Sequence, residues 1–277
     1  MALHVNDPFT GKNCIAICTS TDGVIWTGPL IVLRPTPGAW DHDGRETPSL
    51  HAPTPQLPVW SLMSCGYPTV PEWSWTREGR YSSIGMHFSA GLFGPYTEVG
   101  AGPVIGPTHG WTLPYRGQAG KLAGGVQEPT HLVLGGVIVA LFATNSYRPE
   151  PAIGQATSFL PWLGTSFTVA PQPVLAESGP GWASQPDLWR GANGLFHVVY
   201  AIGSPNEEVW HAQSADLLSW PASMRERVVQ RAPGYATRAF GACAVELPGT
   251  PLTRLWWTGV DDPAGKVPWS VWTALAS

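Results

Sequence analysis

The stretch "QPDLWRGANGLFHVVYAIGSPNEEVWHAQSADLLSW" (Gln185–Trp220) decides the fold. Together with "RVVQR" (Arg227–Arg231) it holds four short runs, QPDLW, LFHVVYAI, VWHAQS and RVVQR. Each is rich in β-branched or aromatic residues, and Gly, Asn, Pro and Asp turn signals separate them, the mark of successive antiparallel strands. The same order recurs upstream as "EPTHLVL", "VIVALFAT", "IGQATS" and "QPVLA", and again as "TPSLH", "VWSLMSC", "IGMHFS" and "GPVIG". A further set, "FGACAVEL", "LTRLWWTGV" and "VWTALAS", stops before a fourth run. No helix of useful length is legible anywhere.

The third run of every set ends in serine, at Ser20, Ser89, Ser158, Ser214 and Ser277, with spacings of 69, 69, 56 and 63 residues. An internal repeat of four antiparallel strands closes its sheet edges by radial arrangement, so the expectation is an all-β chain forming a five-bladed β-propeller. A four-bladed ring is the alternative and an open β-sandwich a distant third. The whole chain, 1–277, reads as one domain. Residues 1–36 have room for a hairpin and an outer strand only, so blade closure is expected to involve 1–36 and 238–277.

Composition narrows the function classes. Only 12% of residues are charged, while 15 Trp and 43% apolar residues argue for a packed core and against disorder. A net charge of −4 offers no basic footprint, so no nucleic-acid partner is expected. The longest apolar run, "LVLGGVIVALFA" (Leu132–Ala143), is too short for a membrane span and is interrupted by a Gly-Gly turn. No secretion signal is legible at the N-terminus, which reads as a cytoplasmic product. Cys14, Cys18, Cys65 and Cys243 lack metal-ligand spacing and read as buried thiols.

Two repeated motifs follow. "STDGVIW" (Ser20–Trp26) and "SADLLSW" (Ser214–Trp220) share Ser-x-Asp-x-x-x-Trp, and Asp22 and Asp216 read as turn-forming residues whose carboxylates bond local amides. A Gly-aromatic pair precedes each innermost strand, ending at Trp40, Trp111, Trp182 and Tyr235. Each ring is either a wedge between sheets or a stacking platform for a sugar.

Polar residues follow these aromatics, in "DHDGRETPSL", "GGVQEPTHL", "ASQPDLW" and "ATRAFGA". Alignment on the proline sets Thr47, Glu128 and Gln185 before it and Ser49, Thr130 and Asp187 after it, with Arg238 in the corresponding region of the last set. Carboxylates at the starts of neighbouring inner strands would face one another across a funnel. His131 alternates away from Glu128 and Thr130, and His42 lies on a loop.

The order "S-x-D-G-x-x-W-x-G-P … W-D-x-x-G-x-x-x-P-S-L", followed by "P-D-L-W … G-x-F-x-V-V-Y … H-A-x-S-x-D-L-x-x-W", resembles the five-bladed propeller glycosidases of the arabinanase, xylosidase and invertase superfamily. The resemblance implies a glycoside hydrolase with three inner-strand acids: a base or nucleophile, an orienting Asp and an acid Glu. By position these are Glu46 (or Asp43), Glu128 and Asp187. Asp43, Trp40, Trp111, Trp182, Tyr235 and Arg238 would bind the carbohydrate, with Arg238, His131 or His42 tuning an acid. Family members carry Asp-Pro at the first inner strand. Here Asp7-Pro8 stands too near Ser20 for two full strands and reads as a turn. No cofactor and no metal ligand is assigned, although a structural ion in the central channel is compatible with the pattern. The alternative is a non-catalytic carbohydrate-binding or structural propeller, such as a surface or virion component.

Overall fold

The structure is a computed structural model that describes all residues except 69–80, 101, 109, 114, 117–121, 145–151, 160–162, 177–182, 204–207, 230–237, 248–249, 251–252, 261–269 and 277. The chain is all-β; one turn of 3₁₀ helix at Ala222–Met224 is the only helix among the described residues. It divides into two compact units, Met1–Pro149 with Gly154–Gln172, and Glu150–Ile153 with Pro173–Ser277.

The first unit opens with β1 (Ala2–Asn6), β2 (Asn13–Ile17) and β3 (Leu30–Leu33), an antiparallel meander in which β2 is central. Next come β4 (Gly44–His51), β5 (Trp60–Tyr67), β6 (Tyr81–Ser89) and the short β7 (Thr97–Glu98), paired in sequence order. "GPVIG" is therefore not the outer strand of this set; it contributes a single bridge, Ile105 to Ile84, while Thr97 and Glu98 take the edge. After β8 (Tyr115–Arg116), β9 (Leu122–Leu134), β10 (Val137–Thr144), β11 (Ala152–Phe159) and β12 (Thr168–Val169) repeat the pattern. The Gly135-Gly136 turn joins β9 to β10 as the sequence implied. Isolated parallel pairings tie β2 to β4 and β6 to β9.

The second unit holds β13 (Leu175–Ala176), which pairs with the first residues of β11. It continues as a four-stranded meander of β14 (Ala183–Arg190), β15 (Phe196–Ile202), β16 (Glu208–Ser214) and β17 (Arg225–Val229). A three-stranded one follows, of β18 (Arg238–Glu246), β19 (Thr253–Val260) and β20 (Ser270–Ala276). Central strands such as β10 are buried on both faces, which is why "VIVALFAT" reads as a continuous apolar run. Met63, Ile84, Ile138 and Phe142 form the heart of the first unit's core, and Val199, Val209, Ala242 and Leu255 that of the second. Each of these side chains larger than alanine contributes roughly 1.5–3 kcal/mol when fully buried.

The Ser-x-Asp motifs are two copies of one turn. Ser20 Oγ accepts from Gly23 N–H and Ser214 Oγ from Leu217 N–H, at 2.8 and 2.9 Å. Asp22 accepts from Val24 and Ile25, and Asp216 from Leu218 and Ser219, all at 2.8–2.9 Å. These amide bonds hold both carboxyls below the usual range, and Trp220 packs back into the interior.

Candidate active site

The site is built on one repeated irregularity. In β4 the register jumps from Glu46–Cys65 to Ser49–Met63, so Thr47 and Pro48 oppose one partner residue. The same two-for-one bulge occurs at Glu128-Pro129 in β9, Gln185-Pro186 in β14 and Gly241-Ala242 in β18. The first residue of each pair is left-handed, with φ of 47° at Thr47, 56° at Glu128, 51° at Gln185 and 61° at Gly241. Proline suits the second position because a bulged residue has no ladder bond to donate. Alignment on proline thus located three equivalent positions. The fourth is Gly241 and not Arg238, which stands three residues earlier at the start of β18 with its side chain outside the described residues.

A bulge turns the residues on either side of it to a common face, so Glu46 and Ser49 point one way and Ser184 and Asp187 do the same in their strand. The three acids therefore do not share one strand position. Glu46 precedes the bulge, Glu128 is its left-handed residue and Asp187 follows it.

In the first unit, Glu46 accepts from Asn13 Nδ2 at 2.6 Å and from Tyr67 Oη at 3.1 Å, which orients both carboxyl oxygens. Tyr67 Oη also lies 3.5 Å from Cys65 Sγ, and Thr47 Oγ1 is 3.2 Å from the same sulfur. The Glu128 backbone N–H bonds to it as well, so one buried thiol joins the bulges carrying Glu46 and Glu128. Burial, reinforced by Glu46, pushes that thiol up to about 11, and Cys65 stays a neutral spacer. The sequence marked Cys65 only as a buried thiol and did not single out Asn13 or Tyr67. The alternation of Cys65 and Tyr67 on β5 was the available signal.

In the second unit, Asp187 accepts from Ala244 N–H at 3.0 Å, and Gln185 Oε1 accepts from Gly241 N–H at 2.5 Å. Both bonds run from the bulge of β14 to β18.

The remaining expected residues separate clearly. The Trp40 ring lies against Gly66 and Gly85, where any β-carbon would overlap it, and its Nε1 donates to Glu98 at 2.8 Å. Trp111 lies against Gly154 and stacks on Phe142 at 5.8 Å. Packing accounts for both rings as wedges. Trp182 and Tyr235 lie outside the described residues. Asp43 is half-buried and donates its backbone N–H to Tyr67 O. His42 Nδ1 accepts from Gly38 N–H within its own loop.

His131 is buried between Ser49 Oγ and Ser61 Oγ, at 2.9 and 2.8 Å, and burial followed by the nearby His51 depresses it to about 3. Asp7 sits in the β1–β2 hairpin turn, accepting from Phe9 N–H and pairing with Arg34 at 2.9 Å. Beside the site, Arg45 is fully buried on Asp41 at 2.6 Å and on His87 at 2.8 Å, a network the sequence did not announce. No group of three or more metal-ligating side chains occurs among the described residues.

No protein-family model and no curated protein matches this sequence. Solved structures do match in fold. A glycoside hydrolase superposes with a TM-score of 0.74 at 14% identity, over 100% of this chain and 83% of that one. A thermostable family-43 glycoside hydrolase gives 0.64 at 10% identity, over 95% of this chain and 81% of that one. The GH32 β-fructofuranosidase of Bombyx mori gives 0.62 at 10% identity, over 96% of this chain and 53% of that one. The chain thus shares its fold, at a distance, with the β-propeller glycoside hydrolases.

Proposed function

We propose that this chain is a five-bladed propeller of the glycoside-hydrolase type that acts on a glycan through Glu46, Glu128 and Asp187. The observation that carries the reading is Glu128: an acidic residue held left-handed at a bulge that recurs in four strands, linked through Cys65 to the bulge beside a second carboxylate. Left-handed backbone at a non-glycine residue costs of order 1–3 kcal/mol, and such strain concentrates where a side chain has to be aimed. Glycoside cleavage needs one carboxyl to protonate the leaving oxygen and another to act on the anomeric carbon or on water. Glu128 is the candidate acid, and Glu46, oriented by Asn13 and Tyr67, the candidate base or nucleophile. Asp187 is the orienting acid.

The test is turnover of a panel of aryl glycosides and oligosaccharides. Glu128→Gln and Asp187→Asn are each expected to reduce kcat by roughly 10²-fold or more. Unchanged turnover in both rejects the assignment.

A second reading, non-catalytic carbohydrate binding, is favoured by one specific observation. The one register shift of the first meander, where β3 opposes Ile15 and Ala16, has no left-handed residue like those of β4, β9, β14 and β18 among the described residues, and its Asp-Pro is consumed by a hairpin turn. Sugar binding without any hydrolysis supports that reading.

A further inference from the structure

A second polar cleft lies in the second unit beside Asp187: Trp189 follows that residue by two positions on β14, and Ala244 of the cleft donates its N–H to it, but neither Asp187 nor the other bulge acids line the cleft. It has a volume of about 390 Å³ and opens between the β14–β17 sheet and the β18–β19 strands. Small-molecule sites usually measure roughly 300–1,000 Å³. One wall is a row of rings projecting from adjacent strands. Trp189, His197 and His211 are near-parallel, with centroids 5.1–5.8 Å apart and interplanar angles of 13–20°. The row follows from register, because Trp189 pairs with His197, and His197 pairs with Gln213, which leaves His211 as its diagonal neighbour on the next strand.

These polar groups form a continuous chain. Asn193 Oδ1 contacts His197 Nε2 at 3.1 Å, His197 Nδ1 contacts His211 Nε2 at 2.9 Å, and His211 Nδ1 contacts Glu226 Oε1 at 3.0 Å. On the opposite wall Glu246 accepts from Trp189 Nε1 at 3.3 Å and from Ala192 N–H at 2.9 Å. Gly191 makes the convergence possible. A β-carbon there would stand 2.5 Å from His197 Nε2, 2.7 Å from Asn193 Oδ1 and 2.8 Å from Glu246 Oε1. Val199, Ala244 and Leu255 line the cleft with apolar surface.

The chemistry selects a ligand class by elimination. Among the described residues no lysine or arginine lines the cleft, which disfavours an anion. Glu246 has its two oxygens on Trp189 and Ala192, Glu226 turns one oxygen to His211 and is otherwise solvated, and no group of three or more metal-ligating side chains occurs among the described residues, which disfavours a cation. Burial, and then His211, lowers His197, which keeps that ring neutral. What remains is an apolar surface bordered by mixed donors and acceptors, complementary to a neutral polyhydroxylated molecule with one apolar face.

We infer that this cleft is an accessory binding site for one or two units of a neutral sugar, its lining including none of Glu46, Glu128 and Asp187. The choice of a sugar among neutral polar molecules rests on the glycan-directed function proposed above.

The experiment follows the indole N–H signal of Trp189, assigned with Trp189→Phe, while the protein is titrated with neutral disaccharides of glucose, galactose, mannose, xylose and arabinose. Inorganic phosphate and methylammonium are the ionic controls. At least one disaccharide is expected to shift that signal saturably at about 50 mM or below, a millimolar affinity being typical of so few contacts. Glu246→Gln is expected to weaken the titration about tenfold, a loss of about 1.4 kcal/mol. Thr253→Trp, which fills the cleft from β19, is expected to abolish it while leaving aryl-glycoside turnover intact. If Thr253→Trp fails to fold, as judged by circular dichroism, Glu246→Gln carries the comparison.

No shift with any disaccharide, a shift with phosphate or methylammonium alone, or full-strength binding in Glu246→Gln and Thr253→Trp overturns the inference. The two proposals fail separately: Glu128→Gln abolishing turnover with an intact indole titration concerns only the reaction, and the reverse concerns only the cleft.

Discussion

Trp40 illustrates what a single residue leaves open in sequence. The Gly-aromatic repeat marked it, but a wedge and a sugar platform have the same local signature. The distinction depends on Gly66 and Gly85, 26 and more residues away, which leave a flat bed for the indole. Gly66→Ala is expected to cost about 1–3 kcal/mol through overpacking, read as a lower Tm, with Trp40→Phe in the same background recovering part of the loss. An unchanged Tm would remove Trp40 from that bed. Asp22 and Asp216 are the opposite case. Their partners lie within three residues, so Ser-x-Asp predicted its own hydrogen bonds.

At the scale of the strand, proline was the legible part of the bulge. Pro48, Pro129 and Pro186 aligned three strands correctly because proline has no N–H for a ladder and settles where the ladder is broken. The left-handed residue before it carries no such mark, since Thr, Glu and Gln share no backbone preference. The fourth copy, Gly241-Ala242, has no proline, and that is why Arg238 stood in its place.

A β-branched residue at φ 47° is the most strained of the set. Thr47→Gly is expected to raise stability by up to about 1 kcal/mol, and Thr47→Val to lower it by a similar amount, both read from denaturant midpoints at constant m. Destabilisation by glycine would show that the Thr47 contact with Cys65 outweighs the strain.

At the scale of the molecule, the buried histidines govern the response to acid. His87 is depressed to about 3 by burial and then by Arg45, and His131 to about 3 by burial and then by His51. An unfolded histidine titrates near ~6.5, so between these values the unfolded chain binds more protons and stability falls as pH falls. The slope approaches about 1.4 kcal/mol per pH unit for each histidine, and it precedes the loss from Asp7, Asp22 and Asp216, whose depressed carboxyls matter only below about pH 4. Urea midpoints at about pH 7, 5.5 and 4.5 are expected to decline, and His131→Gln to flatten the decline. Parallel declines in wild type and in both His87→Gln and His131→Gln would refute this assignment.

By itself the sequence determined the all-β class, the meander order, the hairpin turns and the proline positions, because strand alternation and turn chemistry are written within a few residues. It also placed Asp7 in a turn, from chain length alone. Only the tertiary structure decided that Cys65 joins the bulges of Glu46 and Glu128, that Arg45 is buried on Asp41 and His87, and that three rings and two carboxylates line a cleft. Those contacts join strands that are adjacent in space through register, and a shift of one residue in pairing would turn every one of these side chains to the other face.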